Sequence, residues 1–474
     1  MKELRFIIAA AIALCATACT QPSISVDNPP MPNDEDLAII DYIDKRLSEE
    51  YYWLDEVNEK SASFNRRLQW EEYLDNSLLK LESNDDDGHI AKDGSRVFYS
   101  YIREVESLTR ATTSGYGIAL YYTIVILDSD RGYYGFVVDD VYAESPADIA
   151  GIKRGDVILQ IDGDYITRSN YLSRFNSIEN NTASSLDLVL RRQVGGEELT
   201  AKLTKGSYTE STVAHHAVIN IDEQKIGYLV YTGFEPAYDG ELLDALATLS
   251  AEGVEEVVLD LRTNGGGSVS SAIKLASSLL GPAYDSTTFC ILKRNPLNTT
   301  TSEIVTICPL QDTGISLGID HLTVIASGYS ASASEIIIEG LRGLDIPVTI
   351  VGTTTEGKNC GMDVTRRRIG STYLEYAPIT FMCFNAKEFG GWGEGIKPDI
   401  DLSTDNSIGV KDEHFPLPRT EWGDSSHDIG LAAAIATITG KNITTEATRT
   451  ATSFGELEPS TAIDRPVAGT RLER

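Results

Sequence analysis

Val257-Val258-Leu259-Asp260-Leu261-Arg262-Thr263-Asn264-Gly265-Gly266-Gly267 reads as a buried strand opening into a glycine turn, and Val269 to Leu280 behind it reads as a helix. A short apolar run closed by turn residues is the pattern of a strand covered on both faces. Outward from it, Lys225 to Tyr231 is extended and Asp239 to Leu249 amphipathic. Downstream, His321 to Ser327 is extended, Ser332 to Leu341 helical and Pro347 to Gly352 extended. Strands alternating with helices predict an α/β layer structure. The glycine turn faces its backbone N–H groups toward an anion. A phosphate loop would need a Lys-Ser/Thr pair after the glycines, and Ser268-Val269 does not supply one.

Two further segments carry chemistry. Gly328-Tyr329-Ser330-Ala331-Ser332-Ala333-Ser334-Glu335 sets small residues at a strand-to-helix junction, where a serine on the first turn sits at the positive end of the helix dipole. Val351-Gly352-Thr353-Thr354-Thr355-Glu356-Gly357-Lys358 is a strand ending in a lysine, and a buried lysine that loses its proton serves as a general base. Taken singly, these are helix caps, a tight turn and a solvated lysine; their order and spacing are what is specific.

That order resembles the carboxyl-terminal processing, or tail-specific, serine peptidases, over about Thr112 to Ser403 and including the closing Gly395-Ile396-Lys397-Pro398-Asp399-Ile400. The resemblance implies a ClpP/crotonase-like α/β peptidase core. It assigns Ser332 as nucleophile and Lys358 as base, with an oxyanion hole made by the N–H of Ala333 and of a glycine of the Asn-x-Gly-Gly turn, Gly266. It implies no metal and no cofactor. Members of the family carry a glutamine four residues after the lysine, or an acid late in the nucleophile helix; Met362 and Gly343 occupy those places here. The third catalytic position is therefore open among Glu335, Glu339 and Asp363, and Glu335 is the choice made. Asn359 also stands where glycine is common. A Ser/His/Asp triad is the competing arrangement, but His89, His215, His216, His321, His414 and His427 all lack a catalytic context, with His215-His216 expected in a hinge. A non-catalytic PDZ adaptor, or an apolar-ligand carrier on the same scaffold, is the alternative function.

Upstream, Ile118 to Ile126 and Tyr133 to Val141 read as strands. Ser145-Pro146-Ala147-Asp148-Ile149-Ala150-Gly151 encodes a capped short helix, and Gly155 to Gly163 a strand and turn. This resembles a PDZ domain of the bacterial protease type. Gly115-Tyr116-Gly117-Ile118 then stands at the carboxylate-binding loop, with the N–H groups of Tyr116, Gly117 and Ile118 as donors and Leu172 and Phe175 on the flanking helix selecting an apolar peptide end. The implied partners are polypeptides with a free apolar C-terminus.

The whole chain has 474 residues, 42% hydrophobic and 23% charged, so more than one core is expected. With 40 basic against 71 acidic residues the net charge is −31, which excludes a nucleic-acid track. Lys2 and Arg5 precede an apolar run from Phe6 to Ala18, too short to span a bilayer, and Ala16-Thr17-Ala18-Cys19 resembles a bacterial lipobox. Export is predicted, with lipidation at Cys19 as the only membrane contact and an ordinary cleaved signal as the alternative; periplasm at the outer membrane is the expected location. In that compartment Cys290, Cys308, Cys360 and Cys383 are even in number and permit disulfides, while free buried strand cysteines are the simpler alternative. No cysteine or histidine spacing fits a metal. Ser83 to Gly94 has three consecutive acids but neither the first nor the last calcium ligand, and is expected to be a solvated loop. The expected division is 1–19 signal and lipobox, 20–33 linker, 34–111 helical domain, 112–207 PDZ domain, 208–441 peptidase core and 442–474 disordered tail.

Overall fold

The computed structural model describes residues 31–90, 94–105, 114–128, 130–180, 182–192, 196–403 and 420–441. Cys19, most of the linker, His414 and the tail lie outside them.

The α/β core is built on a six-stranded sheet in the order Val213–Ile221, Gln224–Tyr231, Glu256–Asp260, Leu322–Ala326, Val348–Gly352, Ile400–Asp401. The first pair is antiparallel and every later pair parallel. Alternate residues of these strands go to opposite faces. Leu229, Val257, Leu259, Val324 and Ile350 pack under the helices Asp239–Glu252, Val269–Leu280 and Ala333–Gly343. Tyr228, Val258, Ile325 and Val351 pack under Ile429–Thr439. Covering both faces explains why the strands read as unbroken apolar runs. His215 and His216 lie on the first strand, not in a hinge. A second, antiparallel sheet orders Val305–Pro309, Thr288–Arg294, Ile379–Asn385 and Cys360–Met362. Cys290 and Cys308 stand opposite one another in it, yet all four described cysteines are free and buried.

Residues 114–207 form the PDZ fold around a six-stranded sheet whose terminal strand is Ile118–Asp128. Its short helix Pro146–Ile149 starts as the sequence dictates, with Ser145 Oγ accepting from Asp148 N at 3.2 Å. Gly117 has φ +75°, and a side chain there would collide with Ser145, so this turn requires glycine.

The N-terminal helices are Asp34–Glu50, Leu54–Lys60 and Trp70–Leu78. The first begins in a reciprocal cap: Asn33 Oδ1 accepts from Glu35 N and Asp36 N, and Asp36 Oδ2 accepts from Asn33 N. It buries Ile39, Ile40, Ile43 and Leu47, while Leu37 remains 37% exposed. The region is not purely helical. Strands Gly88–Ile90, Arg96–Phe98 and Tyr101–Glu104 follow, and the last pairs with Thr372–Ala377 of the core. Helix residues Ile40 and Tyr73 share one apolar cluster with Met362, Tyr376 and Ile379, so this region and the core bury surface together. Among the described residues no helix is long and apolar enough to cross a membrane.

Candidate active site

The glycine turn and the serine turn are laced together by hydroxyls. Ser327 Oγ donates to Arg262 O at 2.6 Å, Ser330 Oγ to Leu261 O at 2.8 Å and Ser334 Oγ to Asn264 O at 2.9 Å. Small side chains are what let two backbone turns approach so closely. Ser332 stands at their junction, fully buried, with φ +61° and ψ −112° just before the helix Ala333–Gly343. A non-glycine residue at positive φ is held there only when its surroundings overdetermine it. Its hydroxyl makes no hydrogen bond among the described residues.

Lys358 reaches the same place from the strand Val348–Gly352 through a tight loop. Gly357, at φ +95°, lies so close to Gly393 and Gly395 that no side chain fits. Lys358 is 1% exposed, and its Nζ has no hydrogen-bond partner among the described residues. Burial pushes its ammonium below the ordinary lysine range, while Cys360, Asp87, Glu356 and Glu335 pull the other way. Because Ser332 Oγ and Lys358 Nζ are both unbonded, they are not bonded to each other.

Glu335 joins the two segments. Its Oε2 accepts from the amides of Ser332 at 2.8 Å and Lys358 at 2.9 Å, so the two backbones stand within two hydrogen-bond lengths. Its Oε1 accepts from Thr355 Oγ1 at 2.6 Å and Gly357 N at 2.8 Å. Burial raises this carboxyl to about 7 against those donors. Glu335 thus grips backbone rather than the lysine head group. The other acids weighed from sequence are turned away: Glu339 pairs with Arg342, and Asp363 lies at 3.3 Å from Arg294.

Gly266 lies against the nucleophile turn, since a Cβ on it would come 2.8 Å from the Ser332 Cβ and 3.0 Å from Ala333 N. Its own N–H, however, donates to Asn264 Oδ1 at 2.8 Å. The expectation that this amide stands ready for an oxyanion is therefore corrected in this conformation: the Asn264 side chain occupies it, and Asn264 is itself held by donation to Tyr231 O at 2.8 Å. The asparagine of the Asn-x-Gly-Gly run was the available signal for this.

Sequence reasoning missed the residues around the lysine that come from the N-terminal region. Asp87, expected in a solvated loop, is fully buried, accepting from Tyr51 Oη at 2.7 Å and Ser100 N at 2.9 Å. The Tyr99 ring lies 4.4 Å from Lys358 Nζ, and Tyr99 Oη donates to Glu356 Oε1 at 2.9 Å. His89, on a strand rather than a helix, stands 2.8 Å from the same oxygen. His321 bonds Thr349 and His427 pairs with Asp424, both away from Ser332's neighbours named above.

At the PDZ loop Tyr116 is buried and donates through Oη to Ala183 O at 2.5 Å. Phe175 does not line a groove as expected: it is 2% exposed, packed edge-on against Phe136 at 5.5 Å, which leaves the half-buried Leu172 on that helix. A cleft of about 300 Å³ runs between the PDZ fold and the core, lined by Asp139, Asp140, Tyr142, Glu235, Thr263 and Gly266 among others.

Residues 225–402 match peptidase family S41, and residues 137–192 match the PDZ domain. The "Probable CtpA-like serine protease" of Staphylococcus aureus is 25% identical over 260 residues, covering 55% of this chain and 48% of the relative. The protein of that name from Staphylococcus haemolyticus is 24% identical over 261 residues, covering 55% and 49%. The chain thus spans about half the length of these curated relatives. A crystal structure assigned to the S41 proteases of Bacteroides fragilis NCTC 9343 superposes with a TM-score of 0.65 at 20% identity, over 90% of this chain and 99% of the other. The sheet that presents Ser332 and Lys358 lies within the segment that matches peptidase family S41, and the PDZ match lies ahead of it, so the chain joins an S41 peptidase fold to a PDZ domain.

Proposed function

We propose that this protein is an exported serine endopeptidase that cleaves polypeptides selected by their C-terminal tail, with Ser332 as nucleophile and Lys358 as general base. The observation that carries this is the pairing of a strained, buried serine with a buried, unpaired lysine on one carboxylate clip. Ser332 Oγ attacks the scissile carbonyl as its proton passes to Lys358 Nζ. That proton then goes to the departing amine, and water, deprotonated by the same lysine, releases the acyl group. Glu335 acts as a positioning residue through the amides it holds. The Ala333 N–H faces the oxyanion from the helix start, and the second donor is the Gly266 amide once Asn264 releases it. A peptide adds to the terminal PDZ strand Ile118–Asp128 with its carboxylate on the amides of Tyr116, Gly117 and Ile118, and Leu172 meets its last side chain. The cleft lined by Ala119 on the PDZ side and Gly266 on the core side would carry the chain from there toward the nucleophile.

The test is cleavage of an apolar-tailed polypeptide, together with labelling by a fluorophosphonate probe. Ser332→Ala and Lys358→Ala each lower turnover by about 10³-fold or more, and the double variant is no worse, because members of one catalytic unit are not additive. Lys358→Arg is equally inactive, since guanidinium keeps its proton. Activity in Ser332→Ala, or wild-type rates in Lys358→Arg, overturns the dyad; an inert wild type favours the non-catalytic adaptor. Export and anchoring rest on the signal and Cys19: Cys19→Ala shifts the mature protein from the membrane to the soluble fraction, and a wild type already soluble rejects the anchor.

A further inference from the structure

The lysine proposed as base has two neighbours that no peptidase-core segment supplies. Tyr99 and Asp87 belong to the N-terminal region, ahead of both matched segments. The hairpin joining them is closely specified. Gly88 pairs with Phe98, at φ +151° and so close to the Val97 carbonyl that only glycine fits, and Tyr99 N donates to Asp87 O at 3.1 Å. That fold turns the Tyr99 face onto Lys358 Nζ at 4.4 Å and buries the Asp87 carboxylate behind it. Tyr99 is then locked by donation to Glu356, two residues before the lysine.

We propose that Tyr99 and Asp87 are positioning residues for the general base: the N-terminal hairpin holds the Lys358 ammonium on an aromatic face beside a buried carboxylate, and so sets the pH at which the lysine becomes available to Ser332. This rests on the dyad reading and deepens it. An aromatic face and a nearby carboxylate both favour the charged amine. Without them, fewer groups would offset burial at a side chain that has no hydrogen-bond partner among the described residues. The groups facing Lys358 are Tyr99 and Asp87 from the hairpin side, Glu356 from its own loop, Cys360 from the strand that follows, and Glu335 from the nucleophile helix; His89 meets both Glu356 and the Tyr99 ring. Removing the ring or the Asp87 charge therefore makes the lysine easier to deprotonate.

The experiment follows the rate of fluorophosphonate labelling of Ser332 against pH in the full chain, with peptide cleavage alongside. In the wild type, labelling falls on the acid side as Lys358 takes up a proton. Tyr99→Leu moves that limb to lower pH by about half a unit to one unit. Asp87→Asn keeps an acceptor for Ser100 N and moves the limb the same way in the range above about pH 6, where Asp87 is ionised. Tyr99→Phe keeps the ring and leaves the limb in place. A role in folding alone lowers amplitude or melting temperature without moving the limb. If Tyr99→Leu does not fold, Asp87→Asn decides. An unmoved or upward-shifted limb overturns the proposal while leaving the dyad intact; labelling that survives Ser332→Ala defeats the dyad reading itself.

Discussion

Arg262 and Lys358 are both cations buried within this core, and they are treated in opposite ways. Arg262 is 3% exposed and fully engaged: Nε donates to Asp260 Oδ1 at 2.9 Å, Nη2 to Asp260 Oδ2 at 2.6 Å and Nη1 to Asp428 Oδ1 at 3.0 Å. Tyr228 Oη adds a bond to Asp260 at 2.9 Å. Burial opposes its charge, but the two carboxylates hold the guanidinium firmly protonated. Lys358, equally buried, has an aromatic face and, among the described residues, no hydrogen-bond partner for its Nζ. Guanidinium chemistry suits a permanent structural charge, and an amine whose proton is easily displaced suits a reactive one. The fold therefore uses arginine to fasten the strand before the glycine turn, and keeps its lysine electrostatically uncomfortable.

The sharpest way to break this comparison is to remove the arginine. Arg262→Leu strands Asp260 and Asp428 in the interior, so denaturant melts should show a loss of about 3–5 kcal/mol. A loss below about 1 kcal/mol, the range of a surface pair, would mean that the network is not what holds this strand. The smaller and opposite effect is at the lysine. Lys358→Met has a similar shape without the charge, and should stabilise the protein by about 1 kcal/mol at neutral pH. Its sign with pH follows from the lowered native value. Between that value and the ordinary lysine value of about 10.4, the unfolded chain binds more protons than the native one. The penalty carried by Lys358 is therefore fully present below the native value and fades as pH rises toward 10.4. The gain from Lys358→Met, read as a difference in melting temperature, should shrink over the same span. Destabilisation by Lys358→Met at every pH would place the lysine with the arginine, as a structural charge.

The turns that carry Ser332 and Lys358, and the alternating core, were legible because their signals are local: a serine-alanine run, a strand ending in lysine, apolar runs of strand length. Glu335 was legible as an acid beside the nucleophile, but its use was not, since binding four donors from two segments leaves no mark in spacing. Asp87 and Tyr99 were hidden for a related reason. An acidic run has the composition of a solvated loop, and only Tyr51, Ser100 and the neighbouring Lys358 make burial of its last member tolerable. Phe175 shows the converse error: an apolar residue on a groove helix fills the domain's own core when Phe136 lies beneath it. Gly266 lies against the nucleophile turn, and the signal that its amide is taken was the asparagine two residues before it rather than the glycines themselves.

The strand Tyr101–Glu104 completes its ladder only with Thr372–Ala377, and Arg103 meets Glu375 across 272 residues. For a chain made from its N-terminus at roughly 5–20 residues per second, that interval lasts roughly tens of seconds. The first segment made must wait for almost the last strand of the core before it has a partner, and Tyr99 meets Lys358 only then. A nascent chain that ends before residue 372 lacks the strand on which Tyr101–Glu104 pairs, so the order of synthesis delays the hairpin contact with Lys358 until most of the core has been made.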